Sequence, residues 1–65
     1  MIVNIYFCRS LNRPNLKFDK VSKFTLTDTH VFIHTFYGSV IPIEKRLIRY
    51  VNVKCDDGFS YKIQF

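Results

Sequence analysis

Residues 51–65, with the sequence VNVKCDDGFSYKIQF, decide the fold. Apolar and polar side chains alternate on both sides of the triplet Asp56-Asp57-Gly58. The apolar positions are Val51, Val53 and Cys55 before the triplet, and Phe59, Tyr61, Ile63 and Phe65 after it. Alternation with a period of two is typical of a β-strand with one buried face. The segment is therefore predicted to be a β-hairpin.

The length of the connecting loop decides which side chains of this hairpin share a face. A two-residue loop would place Lys54 opposite Tyr61 and put a charge on the apolar face. A three-residue loop, residues 56–58, pairs Val53 with Tyr61 instead and keeps that face apolar. We therefore predict the three-residue loop, with Gly58 at positive φ. This register predicts a core face made of Val51, Val53, Tyr61 and Ile63.

The rest of the chain also reads as strands separated by turn residues. Strand-like runs cover residues 2–8, 16–20, 21–27, 31–36 and 39–43, whereas residues 44–49 contain good helix formers. We expect an all-β fold: a small antiparallel sheet of five to six strands, rolled into a barrel-like or folded-over sheet. One short helical turn is predicted near residues 44–49. The length predicts a single small β domain, 1–65.

The composition excludes a disordered chain and indicates the kind of genome. Hydrophobic residues make up 48% of the sequence and aromatic residues 17%, which is enough for a packed core. Residues with AT-rich codons (Phe, Tyr, Met, Ile, Asn, Lys) number 29, whereas those with GC-rich codons (Gly, Ala, Arg, Pro) number eight. This bias suggests a low-GC bacterium or its phage as the source.

Nothing in the sequence suggests a membrane protein or a secreted one. No run approaches the ~20 apolar residues of a membrane span, and the N-terminus has no basic leader before its apolar residues. We therefore expect a cytoplasmic protein. In that compartment Cys8 and Cys55 are predicted to be reduced and to serve as small apolar fillers.

The residues that could support catalysis or metal binding do not form a recognisable motif. His30 and His34 have a spacing found in zinc fingers, but on a strand they lie roughly 13 Å apart. The serines lie in no nucleophile motif, and the two glycines form no phosphate-binding loop. We expect no enzyme activity, no catalytic residues, no metal, no cofactor and no small-molecule substrate.

Basic residues exceed acidic ones, and the formal net charge is +5. They fall into a basic loop region and a group on the predicted helical turn: Arg9, Arg13, Lys17, Lys20 and Lys23, then Lys45, Arg46 and Arg49. One interpretation is an anion-binding surface that contacts the phosphates of a nucleic acid. The other is a solvated face with lysines that keep edge strands from aggregating.

The central hairpin, residues 31–43, is apolar on both sides. With a two-residue Tyr37-Gly38 loop, one face carries Phe32, His34, Phe36, Ile41 and Ile43, and the other Val31, Ile33, Thr35, Val40 and Pro42. A chain this short has little material to cover both faces. We predict that the second face binds a partner through Val31, Ile33, Val40 and Pro42; the alternative is that the fold itself covers it.

These observations favour a non-enzymatic small binding protein, an accessory or inhibitory protein of phage or low-GC bacterial type. It would dock on a protein partner or form a homo-oligomer through the apolar hairpin. The alternative is a nucleic-acid-binding small β-barrel that uses the basic loop. Salt distinguishes the two, since binding to nucleic acid weakens steeply with salt and apolar docking does not.

Overall fold

Strands form 58% of the chain in the computed structural model, which describes residues 1–65. The elements in chain order are β1 (Ile2–Phe7), a first 3₁₀ turn (Arg9–Leu11), β2 (Leu16–Phe18), β3 (Val21–Leu26), β4 (His30–Thr35), β5 (Val40–Glu44), a second 3₁₀ turn (Lys45–Leu47), β6 (Ile48–Lys54) and β7 (Ser60–Gln64). The all-β class and the helical turn near residues 44–49 are confirmed. Seven strands form rather than five or six, and the first 3₁₀ turn lies in the region that was predicted to be a basic loop.

The strands form two antiparallel sheets that fold over each other without closing into a barrel. The four-stranded sheet has the order β2-β1-β6-β7, and the three-stranded sheet the order β3-β4-β5. The chain passes from one sheet to the other at a bend at Asp19 and Lys20. Backbone hydrogen bonds close this corner, because the Met1 amino group donates to the Val21 carbonyl over 3.0 Å and the Val21 N–H donates back over 3.3 Å.

The core lies between the sheets and contains only apolar residues. In β1 the buried positions alternate strictly with half-buried ones, which explains why the strand pattern is visible in the sequence. The buried residues are Val3, Ile5, Phe7, Val21, Val31, Ile33, Ile43, Ile48, Val51 and Val53. No helix in the structure has both the length and the apolar character needed to cross a bilayer.

The C-terminal hairpin has the predicted three-residue loop and register. Val53 pairs with Tyr61, and the Cys55 N–H donates to the Phe59 carbonyl over 2.7 Å, so residues 56–58 form the loop. Gly58 has the predicted positive φ, 91°. Tyr61 lies on the core side but is 39% exposed, because it belongs to the edge strand β7.

The loop of the central hairpin is one residue longer than predicted. It has three residues, 36–38, since the Thr35 N–H donates to the Ser39 carbonyl over 2.9 Å and His34 pairs with Val40. The Thr35 hydroxyl also accepts the Ser39 N–H over 3.1 Å, which stabilises the longer loop. Gly38 takes the positive φ, 85°, at the last loop position, as Gly58 does in the other hairpin.

The shift changes which residues of the hairpin share a face. Val31 and Ile33 point into the core and are fully buried, so the expectation that they form an exposed face with Val40 and Pro42 is wrong. A one-residue change of register exchanges the faces of one strand relative to its partner. Val40 and Pro42 are exposed on the opposite side of the sheet. Pro42 lies on the edge strand β5, where its missing N–H leaves no hydrogen bond within the sheet unmade.

Candidate functional site

The outer side of the four-stranded sheet is basic and carries no carboxylate. Alternation in the strands directs ten side chains to this side, away from the core. We call it the lysine face; it consists of Lys17 from β2, Ile2, Asn4 and Tyr6 from β1, Tyr50, Asn52 and Lys54 from β6, and Ser60, Lys62 and Gln64 from β7. Three cations therefore share one surface with amide, hydroxyl and aromatic groups.

One row of paired residues crosses all four strands of this face. Asn4 pairs with Lys17 on one side and with Asn52 on the other, and Asn52 pairs with Lys62. Neighbouring strands lie about 4.8 Å apart, so the backbones of Lys17 and Lys62 are separated by roughly 14 Å. The row thus has a cation at each end and two amides between them. Amides both donate and accept hydrogen bonds, whereas ammonium groups only donate.

Two tyrosines and two cations form a stack beside this row. The rings of Tyr6 and Tyr50 have centroids 4.5 Å apart and planes 19° apart. The Lys62 ammonium lies 4.4 Å from the centre of the Tyr50 ring, and the Arg49 guanidinium lies 5.0 Å from it. Arg49 is the extra residue of a β-bulge, since Tyr50 pairs with Tyr6 and Ile48 with Phe7. The bulge thus adds Arg49 to the three lysines of the face, as a fourth cation.

The carboxylates of the chain lie outside the ten positions of the lysine face. Asp19 is 3.7 Å from the Lys17 ammonium, beyond the end of β2, and Asp56 is 3.2 Å from the Met1 amino group. Glu44 pairs with Arg46 over 2.8 Å in a different part of the molecule, and Asp57 accepts the Phe59 N–H. The charge of +5 is thus unevenly distributed, and the lysine face is one of its positive regions.

A shallow depression of about 360 Å³ lies on this face. Asn4 and Asn52 line it together with two lysines; the full lining is Ile2, Asn4, Lys17, Asn52, Val53, Lys54 and Ser60. Its volume falls in the range of small-ligand sites, and its lining combines cations with hydrogen-bonding groups. The depression can therefore accept a polar, anionic group.

The basic residues singled out in the sequence do not gather on one surface. Lys17 is on the lysine face, Arg49 adjoins it, and Lys23 lies on the outer side of the other sheet, paired with His34. The remaining five, Arg9, Arg13, Lys20, Lys45 and Arg46, lie in the turns and loops that connect the strands. The Cys8 N–H donates to the Leu47 carbonyl over 2.9 Å, which places the two 3₁₀ turns side by side.

Sequence reasoning missed Lys54 and Lys62 as site residues. The signal was present in the predicted register of the C-terminal hairpin, which sets Asn52 opposite Lys62 on its polar side. Extending that polar side onto β1 required knowledge that β1 pairs with β6. This pairing joins strands more than 40 residues apart in the sequence, and no local pattern predicts it.

The histidines and cysteines do not form a reactive cluster. His34 is hydrogen-bonded to the Thr25 hydroxyl over 3.2 Å, and His30 to the Thr29 hydroxyl over 2.8 Å. No three residues of the types His, Cys, Asp and Glu come together where they could hold a metal ion. Cys8 and Cys55 are free thiols, both half-buried. Comparisons with protein-family models, curated proteins and solved structures find no match for this chain.

Proposed function

We propose that the protein is a non-enzymatic binding protein that binds single-stranded nucleic acid on the lysine face. The row from Lys17 to Lys62 across Asn4 and Asn52 is the observation that carries the proposal. In this proposal the lysines at the two ends contact phosphates, and the amides between them hydrogen-bond the edges of bases. The salt-sensitive phosphate contacts provide most of the affinity in such complexes.

The stacked tyrosines favour a single strand over a duplex. Bases of a single strand are free to stack on aromatic rings and to expose their hydrogen-bonding edges, whereas a duplex hides both. Tyr6 is half-buried and shares one face of its ring with Tyr50. The Tyr50 ring is already flanked by Tyr6 and Lys62, so we assign the stacking contact to Tyr6.

Fluorescence anisotropy with labelled oligonucleotides of about 20 nucleotides tests the proposal. Single-stranded DNA, single-stranded RNA and a DNA duplex of the same length are titrated over a range of salt concentrations. We expect one of the single strands to bind more tightly than the duplex. A wild-type protein that binds neither single strand contradicts the proposal, and so does one that prefers the duplex.

A charge-matched pair of triple variants separates the lysine face from net charge. The first variant removes the three lysines of the face and combines Lys17→Gln, Lys54→Gln and Lys62→Gln. The control variant removes three exposed charges elsewhere and combines Arg9→Gln, Lys20→Gln and Lys23→Gln. If each lysine of the face contacts a phosphate, the slope of log K against log salt falls by about 0.7 per lysine, or about 2 in all. The control triple should keep the wild-type slope; equal losses in the two variants would show that only net charge matters.

A further inference from the structure

An apolar row on the edge strand β7 lies beside the core but remains exposed. Every second residue of β7 and of its two flanking positions lies on the same side of the sheet as the buried Val51 and Val53. These residues are Phe59, Tyr61, Ile63 and Phe65. Phe59 is 65% exposed, Tyr61 39% and Phe65 48%. Three aromatic side chains on one side of this edge are thus exposed on a chain of only 65 residues. A contiguous exposed apolar surface of this kind marks an interaction site.

The backbone of β7 is also free to pair on its outer side. The Cys55 N–H donates to the Phe59 carbonyl, so Phe59, Tyr61 and Ile63 direct their backbone groups towards β6. Ser60, Lys62 and Gln64 then direct theirs away from the sheet, where the chain has no strand to receive them.

The other sheet edges are less suited to pairing. Pro42 interrupts the hydrogen-bonding groups of β5, and β2 has only three residues. The edge strand β3 contains a bulge between Val21 and Lys23. β7 is therefore the edge at which an additional strand fits best.

We propose that β7 pairs antiparallel with β7 of a second copy of this chain, about a two-fold axis at Tyr61. In this register Ser60 faces Lys62 of the second copy, and these two residues exchange backbone hydrogen bonds in both directions. The two-fold axis repeats the pair, which gives about four hydrogen bonds. On the apolar side, Ile63 faces Phe59 of the second copy, and the two Tyr61 rings meet at the axis.

Charge complementarity favours a second copy as the occupant, and it favours this register over one centred on Lys62. Ile63 faces Phe59 of the second copy, so Phe65 comes to lie beside the loop of residues 56–58 in that copy, and the Lys45 ammonium is 5.3 Å from the centre of the Phe65 ring. Each end of the interface therefore brings Lys45 of one copy towards Asp57 of the other. A register centred on Lys62 would instead set two ammonium groups against each other, which is unfavourable.

The resulting sheet has eight strands, and the axis is perpendicular to it, so both lysine faces lie on the same side. The dimer does not depend on the proposed binding of nucleic acid. Its test is the mass of the protein alone in solution, so either proposal can fail without the other.

Sedimentation equilibrium of the full chain gives the mass and the dimer dissociation constant. We expect a dimer at about 0.1 mM protein, and a Kd raised at least about tenfold by Tyr61→Lys, which sets like charges at the axis. Val40→Lys is the control, because Val40 is 51% exposed on the other sheet. A monomeric wild type contradicts the proposal, and so does a dimer that Tyr61→Lys does not weaken or that Val40→Lys weakens equally.

A charge exchange tests the register and keeps the proposal falsifiable if Tyr61→Lys fails to fold. Lys45→Asp and Asp57→Lys, each alone, should weaken the dimer severalfold, whereas the double variant should restore it because the pair is reversed. Circular dichroism checks that each variant keeps its strands. If the double variant loses as much dimerisation free energy as the two single variants lose together, the two residues do not meet and the register is overturned.

Discussion

Tyr6 and Tyr50 are directly opposite each other on β1 and β6, and their rings stack with centroids 4.5 Å apart. The same two strands provide Val3, Ile5 and Val51 to the core on their other side. The stack is therefore held by backbone whose position is set by core packing. This arrangement connects the stability of the fold to the geometry of the lysine face.

A double-mutant cycle on this stack should give a measurable coupling energy. Tyr6→Ala, Tyr50→Ala and the double variant are compared by urea unfolding. The contacts of Tyr50 with Lys62 and Arg49 cancel in the cycle, so the stacked rings should give a coupling of about 0.5–1.5 kcal/mol, as found for stacked aromatic pairs. Losses that simply add would show that the rings do not interact in solution.

Ile33 should behave as a core residue and not as a partner-binding one. Its side chain is fully buried between the sheets, so Ile33→Ala is expected to cost about 2–5 kcal/mol of unfolding free energy. Val40→Ala, on the exposed side of the same hairpin, should change the stability by less than about 0.5 kcal/mol. Similar effects of the two substitutions on the denaturation midpoint would contradict the register described above.

Substitution of Gly58 should lower the stability of the fold because of its backbone conformation and not because of crowding by neighbouring atoms. Its φ is 91°, and nothing lies within 4 Å of the position that a Cβ would occupy. Gly58→Val is therefore expected to destabilise the fold by at least about 1 kcal/mol through left-handed strain alone. Gly58→Asn should cost less, since Asn adopts positive φ more readily. Thermal unfolding that does not distinguish the three proteins would argue against a strained loop.

The two hairpins show how far the sequence predicts register. In residues 51–65 one face is apolar and the other polar, so only one loop length keeps charge off the core, and the prediction is correct. In residues 31–43 both faces are apolar, so the pattern permits either register. The feature that indicates the register is the position of the glycine, because in both hairpins the glycine is the third of three loop residues.

The candidate site was harder to predict than the fold because it depends on pairing between distant strands. Local alternation reveals that Lys62 and Asn52 share a polar side, but it does not show that Asn4 and Lys17 extend the same row. For the same reason, basic residues that are close together in the sequence do not form one surface in the fold. Lys17 and Lys23 are six residues apart in sequence, yet the bend at Asp19 and Lys20 places them on different sheets.

A single isosteric change at the centre of the lysine face should separate its electrostatics from its shape. Asn52→Asp keeps the size of the side chain and places a carboxylate between Asn4 and Lys62, where phosphates are expected. We expect nucleic-acid binding to weaken by about tenfold or more, or about 1.4 kcal/mol, with little change in stability because Asn52 is exposed.

Val40→Asp is the control, since it makes the same charge change on the exposed outer side of the three-stranded sheet, and the core separates that side from the lysine face. It should weaken binding by less than about twofold, as a distant charge is screened beyond a Debye length of about 10 Å at 0.1 M salt. The repulsion in Asn52→Asp should also diminish as salt is raised, so the affinities of the two variants should converge. If Val40→Asp weakens binding as strongly as Asn52→Asp at every salt concentration, then the lysine face is not where the phosphates lie, because proximity to the row would have no effect.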